Sequence, residues 1–201
     1  MAEKKSLLQK YTEAVRSQRI RPFTSASRQW FLDMLMGGEL QGGRFPLRDA
    51  AVRNRSRITL GKMYCFVYDP KHKKTLPYYD RFPLIIAADR PERGKGFFGM
   101  NLHYLRPVDR AVFFDQLMNA YSRTGTKLNE STRLQISYGI LKSASRMRAY
   151  APTFKRYLPS HIRSVIVEIP PKHWETSIYL PTHDFKKASS SRIWSDSRSM
   201  L

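Results

Sequence analysis

The stretch from Leu76 to Leu84 reads LPYYDRFPL. It sets two tyrosines, an acid and an arginine against the apolar run Phe82–Asp89. Such a loop could carry acid–base chemistry, stack on nucleic-acid bases, or lock a packed turn. Chemistry would need companions. Metal-assisted phosphodiester hydrolysis takes two or three carboxylates around one ion, usually with a lysine. The acids on or beside strand-like runs are Asp69, Asp80, Asp89 and Glu168. Glu168 stands four residues before Lys172, not at the two-residue spacing of the common nuclease signature. The five histidines (His72, His103, His161, His173 and His183) are scattered, and no two flank a glutamate at helical i, i+4 spacing. There is no phosphate-binding P-loop, dinucleotide glycine fingerprint or nucleophile elbow. The expectation is therefore no catalytic residue, no metal ligand set and no cofactor. A nuclease is the third option, and it would show metal-dependent cleavage abolished by Asp80→Ala or Glu168→Ala.

Charge is the stronger signal. The 201 residues carry 36 Lys and Arg against 16 Asp and Glu, a formal net charge of +20. That balance points to a polyanionic partner, nucleic acid before an acidic membrane face. Hydrophobic residues make up 41%, enough for a true core. Between Ser131 and Val167 there is no acid, while Arg133, Lys142, Arg146, Arg148, Lys155, Arg156 and Arg163 fall in that window. An ordinary solvated helix face mixes both signs. Tyr138, Tyr150, Phe154 and Tyr157 interleave with these charges. Arg53, Arg55 and Arg57 alternate along an extended arm, so they point the same way. Lys71, Lys73 and Lys74 lie beside Tyr78 and Tyr79, where rings can stack on bases and ammonium groups can meet phosphates. The candidate nucleic-acid contacts are thus Arg53, Arg55, Arg57, Lys71, Lys73, Lys74, Tyr78, Tyr79, Lys142, Arg146, Arg148, Lys155 and Arg156. For each the plainer reading is packing, for the tyrosines, or a solvated basic face. No zinc finger, basic zipper or clear helix-turn-helix is present, so binding to double-stranded DNA should be weakly sequence-specific and strongly salt-dependent.

These residues must be held by a fold of the α+β class. Helices are expected over Glu3–Gln18, Ser27–Met36 and from Pro107 to Tyr121, with another in STRLQISYGILKSASRM and a short one after the prolines of PKHWETSIYL. Strands are expected at 62–69, 82–89, 97–105 and 164–170. The first three suggest a small antiparallel meander, with SH3-like closure as one form it could take, and with helices packed around it. The expected division is an N-terminal helical and basic arm at 1–58, a core at 59–182, and a flexible Ser-rich tail at 183–201. Cys65 is the single cysteine and reads as a buried small hydrophobe. Neither a signal peptide nor a membrane span is expected.

The blocks Tyr68–Lys71, Leu76–Leu84 and Gly96–Leu105 carry a further observation. With the later SASRMRAYAPTFKRYLPSHIRSVIVEIPPKHW, they resemble a family of small basic virion-associated proteins of contractile-tailed bacteriophages, the DNA end protectors. The resemblance covers roughly residues 60 to 182. It implies a phage protein, a place in the virion and in the host cytoplasm during assembly, and a DNA contact. It brings no catalytic residue. Two expectations result. One is a non-enzymatic protein that caps genome ends through a basic face. The other is a structural part of the neck, tail or baseplate, docked on acidic subunits of other virion proteins.

Overall fold

The structure, a computed structural model, describes residues 13–17, 21–35, 51–52, 58–122, 139, 150–169 and 174–199. Eight strands appear: β1 Ala51–Val52, β2 Met63–Cys65, β3 Tyr79–Asp80, β4 Leu84–Asp89, β5 Phe97–Asn101, β6 Phe154–Tyr157, β7 Ile166–Ile169 and β8 Phe185–Lys186. The helices are α1 Ser25–Leu35, α2 Pro107–Ser122, α3 Trp174–Tyr179 and α4 Ser190–Ser199. Six strands form one antiparallel sheet in the order β1-β7-β2-β4-β5-β6, and β3 pairs with β8 in a separate ribbon. The class is α+β, as expected, and β2, β4 and β5 are the meander. The sheet stays open, because its ends β1 and β6 do not pair with each other among the described residues.

The apolar runs read as continuous because both faces of this sheet are covered. Met63, Cys65, Leu84, Ile86, Val167 and Ile169 face one core with Phe31 of α1, Phe113 of α2 and Trp174 and Ile178 of α3. The alternate residues Tyr64, Phe66, Ile85, Ala87 and Ile166 face a second core with Ile58, Tyr68, Phe97, Tyr157 and Ile162. Helix α2 begins at Pro107, where the missing N–H costs nothing. Arg106 donates to both carboxylate oxygens of Asp109 in its first turn at 2.7 Å. No described helix is long and apolar enough to cross a membrane.

Three segments differ from expectation. The basic connector before residue 158 forms the edge strand β6, which pairs Lys155 with Gly99 and Tyr157 with Phe97 of β5. Gly96 permits this approach. It sits at φ +110°, and a Cβ there would collide with the Tyr157 carbonyl oxygen. Residues 185–199, expected to be a flexible tail, instead carry β8 and α4. The ordering force is burial: Ile193 is 0% exposed and the Trp194 indole donates to the His103 carbonyl at 2.9 Å. Residues 51–52, placed in the arm, pair with β7. Most of the expected helices at 3–18 and 131–147 lie outside the described residues.

Candidate nucleic-acid interface

Asp80 lies at the centre of the loop that raised the chemical question. Pro77 and Pro83 stiffen the chain on either side of it. Its side chain is buried and accepts four hydrogen bonds. Oδ1 takes the backbone N–H groups of Phe82 and Asp184, both at 3.0 Å. Oδ2 takes the Asn101 amide at 3.2 Å and His103 Nδ1 at 2.7 Å. The turn is therefore packed, but Asp80 pairs with His103, not with Arg81 or a nearby lysine. Burial alone would push this carboxyl up. His103 and the two backbone donors outweigh it and hold Asp80 down at about 2. For His103, burial prevails over the pull of Asp80, helped by the nearby Arg110 and Arg28, and its pKa is lowered. At neutral pH the pair is thus a carboxylate and a neutral imidazole whose Nδ1–H points at Asp80. His103 Nε2 then accepts from the Thr182 hydroxyl at 3.3 Å.

The geometry Asp80–His103–Thr182 has the order of an acyl-transfer triad. Access rules that use out, since His103 and Thr182 are both 0% exposed. The group is a latch. It ties the β3 loop to the turn Leu102–Tyr104 and to the strand leading into α4. Arg28 and Arg110 extend it. Arg28 donates to the carbonyls of Thr182 at 2.8 Å, and of His183 and Phe23 at 2.7 Å each. Arg110 donates to Leu105 and Ile178 carbonyls at 2.8 and 2.9 Å, and burial brings its pKa down to about 10. His183 lies against His103, ring centroids 5.6 Å apart, and bonds Ser190 Oγ at 2.8 Å. His183 and Asp184, within the stretch expected to be a flexible tail, belong to this network.

Beside the latch a cavity of about 540 Å³ opens. Its buried floor includes Asp80, Asn101 and Tyr157, and its walls Tyr68, Tyr78, Tyr79 and Tyr104. Lys71 and His72 stand on its exposed rim, with Arg156 near Leu158. Lys155 places its ammonium 4.5 Å above the Tyr104 ring. Gly99, opposite Lys155, makes room for Ile85, whose side chain a Cβ there would meet at 2.8 Å. Tyr78 and Tyr104 lie 6.1 Å apart, while Tyr68 and Tyr157 pack edge to face at 5.0 Å. Lys187 fixes the rim by donating to the carbonyls of Lys74 and Leu76, both at 2.8 Å. The other side is fixed by His161, whose Nδ1 lies 2.9 Å from the Asp69 carbonyl.

Five of the thirteen predicted contact residues, Lys71, Tyr78, Tyr79, Lys155 and Arg156, line this one cavity, although over seventy positions separate Tyr79 from Lys155. Lys73 stands apart, paired with Asp69 at 2.9 Å, and Lys74 is exposed. Arg53, Arg55, Arg57, Lys142, Arg146 and Arg148 lie outside the described residues. The remaining strand acids also have local roles: Glu168 pairs with Lys62 at 2.9 Å, and Asp89 accepts the Arg90 N–H at 2.7 Å. No group of three or more His, Cys, Asp or Glu among the described residues could hold a metal ion. Sequence reading missed His103, Asn101 and Tyr104 as parts of the site. They follow a strand in NLHYL, and a polar residue between buried apolar ones was the available signal.

Comparison with protein families matches the phage T4 terminal DNA protecting protein over residues 8–197. The chain belongs to this bacteriophage family. The resemblance seen in the three sequence blocks is thereby shown, and it reaches beyond them into both terminal segments. The family is described by protection of DNA, not by a reaction. Searches of curated proteins and of solved structures each return no match.

Proposed function

We propose that this protein binds double-stranded DNA through a basic face and caps its ends without chemistry. The observation that carries the reading is the convergence of Lys71, Lys155, Arg156 and a wall of tyrosines on one cavity, in a chain of net charge +20. Family membership supplies the class of target. Cations would neutralise the backbone near the end, and Tyr78 and Tyr79 would stack on the exposed terminal base pair. Occupying the end denies it to an exonuclease, so no catalytic group is required. Recognition is weakly sequence-specific, since the sequence carries no zinc finger, basic zipper or clear helix-turn-helix to read base edges. The place of action is the virion and, during assembly, the host cytoplasm.

Duplex binding followed by fluorescence anisotropy across a salt series tests this, with linear and closed-circular competitors of one sequence. Capping predicts that affinity falls steeply with salt, with slope about −0.9 per phosphate neutralised, and that linear DNA competes better. Steep dependence without that preference would mean general backbone binding. No binding near physiological salt would favour the structural role, docked on acidic subunits of other virion proteins.

A further inference from the structure

Lys155 differs from the other cations around the cavity. Lys71 is exposed, and Arg156 donates to the Lys95 carbonyl at 3.0 Å. The Lys155 side chain is half-buried, and burial lowers its pKa. It has no carboxylate and no hydrogen-bond acceptor among the described residues, only the face of Tyr104 at 4.5 Å. An ammonium left unpaired and partly desolvated is costly. A cation–π contact offsets part of that cost and leaves its three N–H donors unused. Such a group is poised for an anion that arrives from outside.

The cavity narrows the choice of anion. A volume of about 540 Å³ falls within the range of pockets that enclose small ligands. Its walls are phenol rings, which suit the π-face of any base. Its floor is closed by Asn101, Tyr157 and the latched Asp80, while its rim is exposed. A recess with a buried floor and an exposed rim suits a chain end, which can turn inward where a continuous strand would have to bend in and out again. Asp80 repels a phosphate from the floor, so an entering anion is directed to Lys155.

We propose that this cavity takes the terminal nucleotide of a DNA strand, with Lys155 Nζ receiving a phosphate carried on that terminus and the half-buried ring of Tyr78 against the base. The inference rests on the end-capping reading and adds to it a chemical feature of the end that is read. A terminal phosphomonoester carries close to two negative charges at neutral pH, more than an internal diester. The preference is therefore for phosphorylated ends over hydroxyl ends.

The experiment uses the full chain and blunt duplexes of one sequence bearing 5′-phosphate, 3′-phosphate or hydroxyl at both termini, with a closed circle as competitor. One of the phosphorylated duplexes should bind roughly tenfold or more tightly than the hydroxyl duplex, the scale of one charge-assisted hydrogen bond. Which one does so identifies the strand end. Lys155→Met keeps the stem over Tyr104 and removes the charge, so it should erase the difference between the phosphorylated and hydroxyl duplexes. Equal affinity for all three duplexes, with linear DNA still preferred over the circle, overturns the phosphate pocket and leaves end capping standing. Loss of the linear preference overturns both. A Lys155→Met protein that keeps the phosphate preference removes Lys155 from the role. If that variant does not fold, the three wild-type affinities still decide.

Discussion

His183 makes the most quantitative demand on this structure. The ring is 8% exposed and lies among Phe23, Phe185 and Trp194, at centroid distances of 4.6, 4.9 and 6.1 Å. Its Nδ1 is buried with no hydrogen-bond partner among the described residues. Burial, then the neighbouring His103, with Arg110 and Arg28 behind it, outweigh the pull of Asp80 and lower its pKa from 6.5 to about 3. The sign follows from proton linkage. Below pH 6.5 the unfolded chain takes up a proton that the folded protein refuses, so stability is full above that pH and falls steadily down to about pH 3. Each pH unit in that window costs about 1.4 kcal/mol. From pH 6.5 to pH 5 the loss from this one residue is about 2 kcal/mol. His183→Phe keeps a ring of similar size and removes the titration. Urea unfolding of wild type and variant between pH 7.5 and 5 is the assay. The variant should lose about 2 kcal/mol less than wild type on acidification, whatever its stability at pH 7.5. His103 stays in both proteins, so its own share of the slope largely cancels. Parallel stability curves over this range would refute the buried, neutral His183.

Other perturbations probe separate parts of the structure. Gly96→Ala should destabilise by about 1–3 kcal/mol, because φ is +110° and the new Cβ meets the Tyr157 carbonyl oxygen; the urea midpoint measures it. Ile193→Ala, at a fully buried position of α4, should cost about 2–4 kcal/mol and speed hydrogen exchange of the Trp194 indole; unchanged stability would mean that α4 is not docked. Tyr78→Ala should weaken linear-DNA binding by about 1–3 kcal/mol, the loss of one stacked base, with little change in the thermal midpoint, since the Tyr78 ring is half-buried at the cavity wall.

The central sheet was legible because each of its middle strands is an apolar run bounded by Pro, Gly or Asp. KMYCFVYD, FPLIIAAD and SVIVEIP supplied β2, β4 and β7. Strand β6 was not. FKRY puts two cations in four residues, which is how an edge strand guards its free side and also how a basic linker looks. Helix α4 was hidden by its serines, which favour caps and turns over helix interiors. Its docking depends on Ile193 and Trp194, too few apolar residues to show a period. The latch could not be read at all. Asp80, His103 and Thr182 are joined across 23 and 79 positions, and no local spacing encodes such a contact. The charge signal fared differently. Lys155 and Arg156 stood out as a basic pair among aromatics, but only the fold brings them to Tyr78.

The latch and the cavity share one residue, and that gives the buried ionic network a purpose. Its cost is high: a carboxylate and two guanidinium groups are taken out of water, and breaking such a group by removing one partner typically costs several kcal/mol. A hydrophobic cluster could hold the same loops. What an apolar cluster would not do is fix the direction of the β3 loop. Four donors from three chain segments converge on Asp80, and the Tyr104 ring packs edge to face on Phe185 at 5.4 Å. The floor of the cavity and two of its rings are thereby set before any ligand arrives. Side chains already ordered lose little entropy on binding, and that saving of about 0.5–1.5 kcal/mol per side chain appears directly as affinity. A protein that guards an end by occupying it, with no reaction to make the outcome permanent, depends on a slow off-rate. A rigid aromatic pocket beside an unpaired ammonium is a means of achieving one.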